Sequence, residues 1–227
     1  MSIAKRSLAG FGLAGFGLVL FGASCANAQT AFDVNIGFGS AWDSANSGGI
    51  DNANSLNAFG SCTPGALDAN CESLPKLNGF FLGFGADLML FKHLGAGFQA
   101  TLQPAQQNYG PLQYRQAFYD FDGIYAPINM KRFVLRFEGG VGAAHTGFSF
   151  NQSGCVGTAV CSSYAEPVGT TNHFAANIGV SAQVFVTDHI FLRPEFDYHY
   201  VPNFTNQFGS NSVPEAMIWL GYSFGER

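Results

Sequence analysis

Ile190-Phe191-Leu192-Arg193-Pro194-Glu195-Phe196-Asp197-Tyr198-His199-Tyr200 decides the fold. Ile190, Leu192, Pro194, Phe196, Tyr198 and Tyr200 share one parity, while Arg193, Glu195, Asp197 and His199 share the other. A period of two marks a β-strand with one apolar face. Pro194 has no N–H to give to a ladder, so it predicts a bulge or a locally unpaired position.

The same alternation recurs along the chain. Phe32, Val34, Ile36 and Phe38 oppose Asp33, Asn35, Gly37 and Gly39. Phe80 to Leu90 carries apolar residues against Gly83, Gly85 and Asp87, and Leu94 to Leu102 against Gly95, Gly97, Gln99 and Thr101. Ala117, Tyr119, Phe121 and Tyr125 oppose Asp120 and Asp122; Phe133, Leu135, Phe137 and Val141 oppose Arg136, Glu138, Gly140 and Gly142. Phe174 to Val184 and Ile218 to Phe224 complete the set, with Trp219, Gly221 and Ser223 on the polar parity of the last. Long joints fall near 43–78, 104–112, 149–170 and 202–213, and short ones near 92–93, 127–131 and 187–189. Long and short joints in alternation put both ends of the strand set on the short-turn side. This predicts an all-β chain: an eight-stranded antiparallel up-and-down transmembrane barrel with four long extracellular loops and three short periplasmic turns.

Alternation alone does not say which face points outward, since a soluble lipocalin-like ligand carrier alternates with its apolar face inside. Composition decides. Soluble surfaces carry about 25–35% charged residues, whereas this chain has 11%. Its strand charges also come as mixed-sign clusters, which suits a packed lumen. The expectation is therefore an apolar exterior, with Tyr114, Tyr125, Tyr200 and Tyr222 forming girdles near the strand ends.

An eight-stranded barrel encloses a space that side chains can fill, unlike the channel of a large porin. Asp120, Asp122, Arg136, Glu138, Arg193, Glu195, Asp197 and His199 are expected to form a lumen charge network, with Asp33 and Asp87 as further members. Reflection about a turn at Asn129 pairs Asp122 with Arg136 and Asp120 with Glu138. Reflection about Asp188 pairs Gln183 with Arg193 and Ser181 with Glu195. A salt-bridged plug is the first reading, because buried charges need partners. A narrow gated, cation-preferring pore is the alternative.

At the front, Lys5 and Arg6 precede the apolar run Leu8–Leu20, and Ala26-Asn27-Ala28 presents small residues at both positions a signal peptidase reads. This predicts a signal peptide over 1–28, cleaved after Ala28, and a barrel domain over 29–227. A span of this length, interrupted by glycines, is short for a transmembrane helix. The signal segment holds two of the ten basic residues and none of the fifteen acidic ones, so its removal takes the formal charge from −5 to −7. No basic stripe is left to suggest nucleic acid. Cys25 departs with the signal. Cys62, Cys71, Cys155 and Cys161 fall as two close pairs, and local disulfides are expected, each closing a short loop worth about 2–3 kcal/mol. Both gaps are wider than the two to four residues usual between paired zinc ligands, so no metal site is expected.

The Leu192-Arg193-Pro194-Glu195-Phe196-Asp197-Tyr198 strand, the inward charges and the closing Trp219-Leu220-Gly221-Tyr222-Ser223-Phe224 resemble the OmpA-type and OmpX-type eight-stranded outer-membrane barrels over about residues 31–225. The resemblance implies residence in the outer membrane of a Gram-negative-type bacterium, contact with its lipids, and recognition by the barrel-assembly machinery through Tyr222 and Phe224. Gly225-Glu226-Arg227 after Phe224 depart from the family's aromatic terminus.

Catalysis finds little support. An outer-membrane lipid-modifying enzyme needs a nucleophilic Ser or a general-base His with an orienting acid. His145 has no serine two residues on; His199 lies two from Asp197, but no serine follows at suitable spacing. The paired glycines lie inside alternating strands and open no helix, so no phosphate loop is indicated. The reading is a monomeric, cofactor-free, non-enzymatic barrel with a structural or cell-surface interaction role, any ligand being met by the long loops.

Overall fold

The structure is a computed structural model describing residues 31–43, 77–109, 112–156, 160–208 and 210–225. Among the described residues there are nine strands: β1 (Ala31–Ala41), β2 (Phe81–Met89), β3 (Leu94–Leu102), β4 (Gln107–Tyr109), β5 (Leu112–Met130), β6 (Phe133–Val156), β7 (Val160–Phe185), β8 (Ile190–Tyr200) and β9 (Ser212–Phe224). A short 3-10 turn, Phe204–Asn206, lies between the last two. Each strand pairs antiparallel with its sequence neighbour, β1 pairs with β9, and β3 pairs with β5 around the three-residue β4. Eight strands thus close a ring with no free edge around its girth.

Side-chain burial matches the parity of the sequence. Phe32, Val34, Ile36 and Phe38 of β1 are exposed while Asp33 and Asn35 are buried, and β8 repeats the pattern with Arg193, Glu195, Asp197 and His199 inside. An apolar belt outside and a polar filling inside is the arrangement a bilayer requires, and the reverse of a lipocalin-like carrier. The lumen glycines make room for large neighbours. A β-carbon on Gly37 or Gly83 would stand 2.5 or 2.4 Å from the Trp219 indole, so both are vacancies that the ring fills.

The tight turns close one end. Lys131 and Arg132 join the paired Met130 and Phe133, and the Thr187 hydroxyl accepts from the amide of Ile190 at 2.9 Å. Beside Pro194 the β7–β8 ladder lapses between Ser181↔Glu195 and Val184↔Leu192, as a residue without N–H demands.

Three expectations need correction. The β5–β6 turn lies at Lys131–Arg132, and a bulge between Tyr125 and Ile128 accommodates Pro127, so Asp122 faces Gly140 and Asp120 faces Gly142 rather than Arg136 and Glu138. The expected β7–β8 register about Asp188 is kept on both sides of the gap beside Pro194, so Ser181 faces Glu195 and Gln183 stays opposite Arg193. The joint at 149–170 is largely strand: β6 and β7 stay paired out to Val156↔Val160. Tyr114 belongs to no girdle, being 0% exposed, whereas Tyr125, Tyr200 and Tyr222 are outside.

The lumen is layered. Toward the long-loop end, Phe81, Tyr114, Phe118, Phe148, Phe204, Phe208 and Trp219 form an apolar cap. Toward the short-turn end, Met89, Ile124, Val134, Phe185 and Phe191 form an apolar floor. Charged residues lie between.

Candidate functional site

Strand pairing brings the charged layer together from six strands. Asp87 of β2 sits at its centre: its Oδ2 accepts from Arg193 Nη1 at 2.6 Å, from Arg136 Nη1 at 3.1 Å and from Asn35 Nδ2 at 3.3 Å. Each guanidinium has a second carboxylate, Arg136 Nε lying 3.1 Å from Glu138 Oε1 and Arg193 Nε 3.1 Å from Glu195 Oε2. These pairs follow from strand parity, since residues two apart on one strand share a face. The network then spreads. Trp219 Nε1 donates to Glu195 at 2.8 Å, and the indole also lies under the Arg193 guanidinium at 5.4 Å. Gln99 and Ser181 donate to Glu138 at 3.1 and 2.8 Å, and Gln183 donates to Asp33 at 3.0 Å.

A second group lies nearer the cap. His199 Nε2 meets Asp120 Oδ2 at 3.2 Å while its ring stacks on Phe118 at 4.7 Å. Asn177 donates to Asp122 at 2.7 Å, and Thr101 donates to Glu215 at 3.2 Å. Asp197, on the same face of β8, is 4% exposed. The eight residues expected in the lumen are therefore all buried there. Six of them fall into two groups, Arg136, Glu138, Arg193 and Glu195 around Asp87, and Asp120 with His199, while Asp122 is held by Asn177 and Asp197 is buried on the same face of β8.

The sequence reading underweighted Asp87, which bridges both arginines, and missed Glu215. Glu215 shares the parity of Trp219 and could have been found by extending that strand toward its start. Phe204 and Phe208 carried no periodic signal, because they come from the fourth loop folding back into the mouth. There they pack on each other at 4.8 Å, and Phe208 meets the Tyr114 ring edge-on at 5.0 Å.

What this arrangement does chemically is hold paired charge away from solvent. Buried ion pairs of this sort are costly to form, yet costlier to break singly. His199 with Asp120 has the form of a base and its orienting acid, but His199 hydrogen-bonds Asp120 alone among the described residues. Among the described residues, no group of three or more His, Cys, Asp or Glu is placed to hold a metal ion.

A second feature lies beyond the ring. β7 pairs with β8 only up to Ala176↔Tyr200, and β5 pairs with β6 only up to Gln113↔Ser149. Beyond Ser149, β6 and β7 pair only with each other, residues 150–156 against 160–166, a two-stranded ribbon of about 23 Å. A bulge at Phe148/Ser149 leaves Val168 outward, 60% exposed. The backbones of Cys155 and Cys161 stand directly opposite one another near the ribbon tip. The expected signal segment with Ala28, and Cys62 and Cys71, lie outside the described residues. Tyr222 and Phe224 close β9 with rings 4.7 Å apart, Phe224 facing Phe32 of β1.

No family model matches the sequence, and no curated protein matches it. Among solved structures, the fold is similar to that of Ail, the attachment invasion locus protein of Yersinia pestis, at 10% identity over 86% of this chain and 99% of that one, with a TM-score of 0.49. It is also similar to the N-terminal β-barrel domain of Pseudomonas aeruginosa OprF, at 13% identity over 87% and 100% of the two chains and a TM-score of 0.47. Neisserial surface protein A is similar at 10% identity over 86% and 96%, with a TM-score of 0.45. The expected eight-stranded antiparallel up-and-down architecture is met by the closed strand ladder itself.

Proposed function

We propose that this chain is an integral outer-membrane protein of a Gram-negative-type bacterium, in which the barrel is an anchor and the elements above it meet partners at the cell surface. The observation that carries the reading is the three-layered lumen. With an aromatic cap above and an apolar floor below the ion pairs, the interior supports the outer elements and does not transport. The ribbon of β6 and β7 then has no role in closing the barrel, and its projection supports contact with something outside. The same reading takes the chain as monomeric and non-catalytic, exported through a cleaved signal at Ala28 and inserted by the assembly machinery through Tyr222 and Phe224.

Disulfides are part of this proposal. Directly opposed cross-strand residues have Cα separations of about 4.5–5.5 Å, inside the range a disulfide spans. The Cys155–Cys161 register therefore supports a staple at the ribbon tip, with Cys62–Cys71 as its counterpart in the first loop.

Replacing residues 150–168 by a two-residue turn tests the reading. The shortened barrel should still appear in washed outer-membrane fractions and migrate faster unheated than heated. Cells producing it should lose adherence to protein-coated surfaces. Adherence equal to that of the full chain would sink the surface-interaction role, and absence from the membrane fraction would sink the anchor.

A further inference from the structure

The long-loop rim carries polar side chains that the proposed role does not use. Among the described Lys and Arg residues, Arg136 and Arg193 fill the lumen, while Lys92, Lys131 and Arg132 stand on the short turns. Arg115 alone serves the opposite end. It is exposed on the outer face of β5 between the buried Tyr114 and Gln116, and no carboxylate among the described residues pairs with it. Strand pairing sets its neighbours. Arg115 faces Gly147 of β6, and Gly147 faces Thr170 of β7. One step toward the membrane on the same outer face, His145 stands between Ala117 and Asn172. The His145 Nδ1 donates to the Asn172 Oδ1 at 2.6 Å, which orients the ring and leaves Nε2 without a partner among the described residues.

A guanidinium, an oriented imidazole and a hydroxyl thus surround a floor of bare backbone at Gly147. Neighbouring strands lie about 4.8 Å apart, so the backbones of Arg115 and Thr170 are about 10 Å apart across that floor. The patch also has a definite height. Tyr119 of β5 and Phe174 of β7, next below it on the outer face, are exposed members of the apolar belt. The polar groups therefore begin where the belt ends, at headgroup level. We propose that they form a site for a phosphate monoester carried by a lipid of the long-loop leaflet. The Arg115 fork donates to two phosphate oxygens, the bidentate match that a guanidinium makes with phosphate. His145 Nε2 shares a proton with the third oxygen, and the Thr170 hydroxyl donates from the far side. Asn172 is a positioning residue that acts through the imidazole. A zwitterionic diester would bring an amine toward Arg115 and fewer free oxygens to the floor. The site rests on the membrane reading of the barrel, because the belt below it is what selects a lipid-borne phosphate.

The test is native mass spectrometry of the full chain, folded in mild detergent and titrated with diphosphoryl lipid A, the same lipid after phosphatase treatment, and inorganic phosphate. One phosphorylated lipid should be retained, preferred over its dephosphorylated form by about tenfold, as expected of one charge-assisted contact. Arg115→Gln should abolish the preference, and Arg115→Lys, which keeps the charge and loses the fork, should lower it about threefold. Gly147→Val should block the floor. A β-carbon there meets only the Thr170 Cγ2 at 3.9 Å, so this variant folds even if a change at Arg115 does not. Arg132→Gln, at the opposite rim, should change nothing. Equal retention of both lipids would overturn the site, as would equal losses from Arg115→Gln and Arg132→Gln, which would reduce it to charge alone. Displacement of the lipid by an equal concentration of inorganic phosphate would overturn the assignment to a lipid. A barrel that inserts and shifts on heating yet shows no preference refutes only the site, whereas failure to insert refutes the membrane reading with it.

Discussion

Substituting Asp87 by Asn removes the one carboxylate that both buried guanidiniums share. In the native protein Asp87 Oδ2 receives Arg193 at 2.6 Å and Arg136 at 3.1 Å, with both arginines at most 1% exposed. Asparagine keeps the shape but loses the charge. Arg136 keeps Glu138 and Arg193 keeps Glu195, so neither cation is stranded alone, but the contact between the two guanidiniums is no longer offset. Breaking one partner of a buried pair costs about 3–5 kcal/mol, and here one side chain serves two pairs, so the upper end of that range is expected. The assay is urea unfolding of protein folded in phosphatidylcholine vesicles, followed by tryptophan emission. Trp219 is a built-in reporter because its indole lies beside Arg193. Adding Arg193→Gln to the Asp87→Asn variant removes one of the two cations. The pair should couple by about 0.5–3 kcal/mol, the double variant losing less than the sum of the two. A loss for Asp87→Asn below about 1 kcal/mol, the value of an exposed ion pair, or strict additivity in the cycle, would refute the bridging role.

Three more outcomes follow from the layering and the packing. Phe204→Ser with Phe208→Ser opens the cap, yet planar-bilayer recordings should stay at the closed baseline because Phe185 and Phe191 still block the floor; conduction by the cap variant alone would show that the floor leaks. Gly83→Val drives a side chain against an indole held by Glu195 and Arg193, and should cost about 1–3 kcal/mol in the same urea assay, with an unchanged midpoint showing that the ring can move aside. Cys155→Ser should speed proteolysis at the ribbon tip without changing the heat-dependent gel shift of the barrel, whereas equal cleavage rates with and without reductant would remove the staple.

The barrel was legible because parity is a backbone property: Ile36 and Asn35 must face opposite ways whatever surrounds them, and one buried residue per strand fixes the rest. That argument also put the eight charged residues inside. It failed where a local event breaks the count. The β5–β6 turn lies at Lys131–Arg132 instead of Asn129, and the bulge at Pro127 moves the pairing above it by one more residue, so Asp122 met Gly140 instead of Arg136. It also failed where polarity was taken as a proxy for inwardness. Phe118, Phe185 and Phe191 share the inward parity yet are apolar, since the two ends of a closed lumen exclude water while its middle satisfies charge. The ribbon was invisible for a third reason. Residues 151–156 and 160–163 lack apolar alternation in the sequence, and only their pairing with one another identifies them as strand.

The lumen network has a consequence for how the molecule is made. Its bonds join residues far apart in the chain: Arg193 to Asp87 across 106 positions, Thr101 to Glu215 across 114, and Gln183 to Asp33 across 150. Contacts of such long range must each bear the entropy of closing a large loop before they return any energy, and they slow folding accordingly. A nascent chain lacking β8 and β9 has Asp87 and Arg136 in hand but neither Arg193 nor the Trp219 indole that fills the vacancies over Gly37 and Gly83. No shorter piece can therefore sample a stable half of the barrel. Until the last strand arrives, β1 presents an open edge, and a helper that shields that edge holds the rate of biogenesis in its hands.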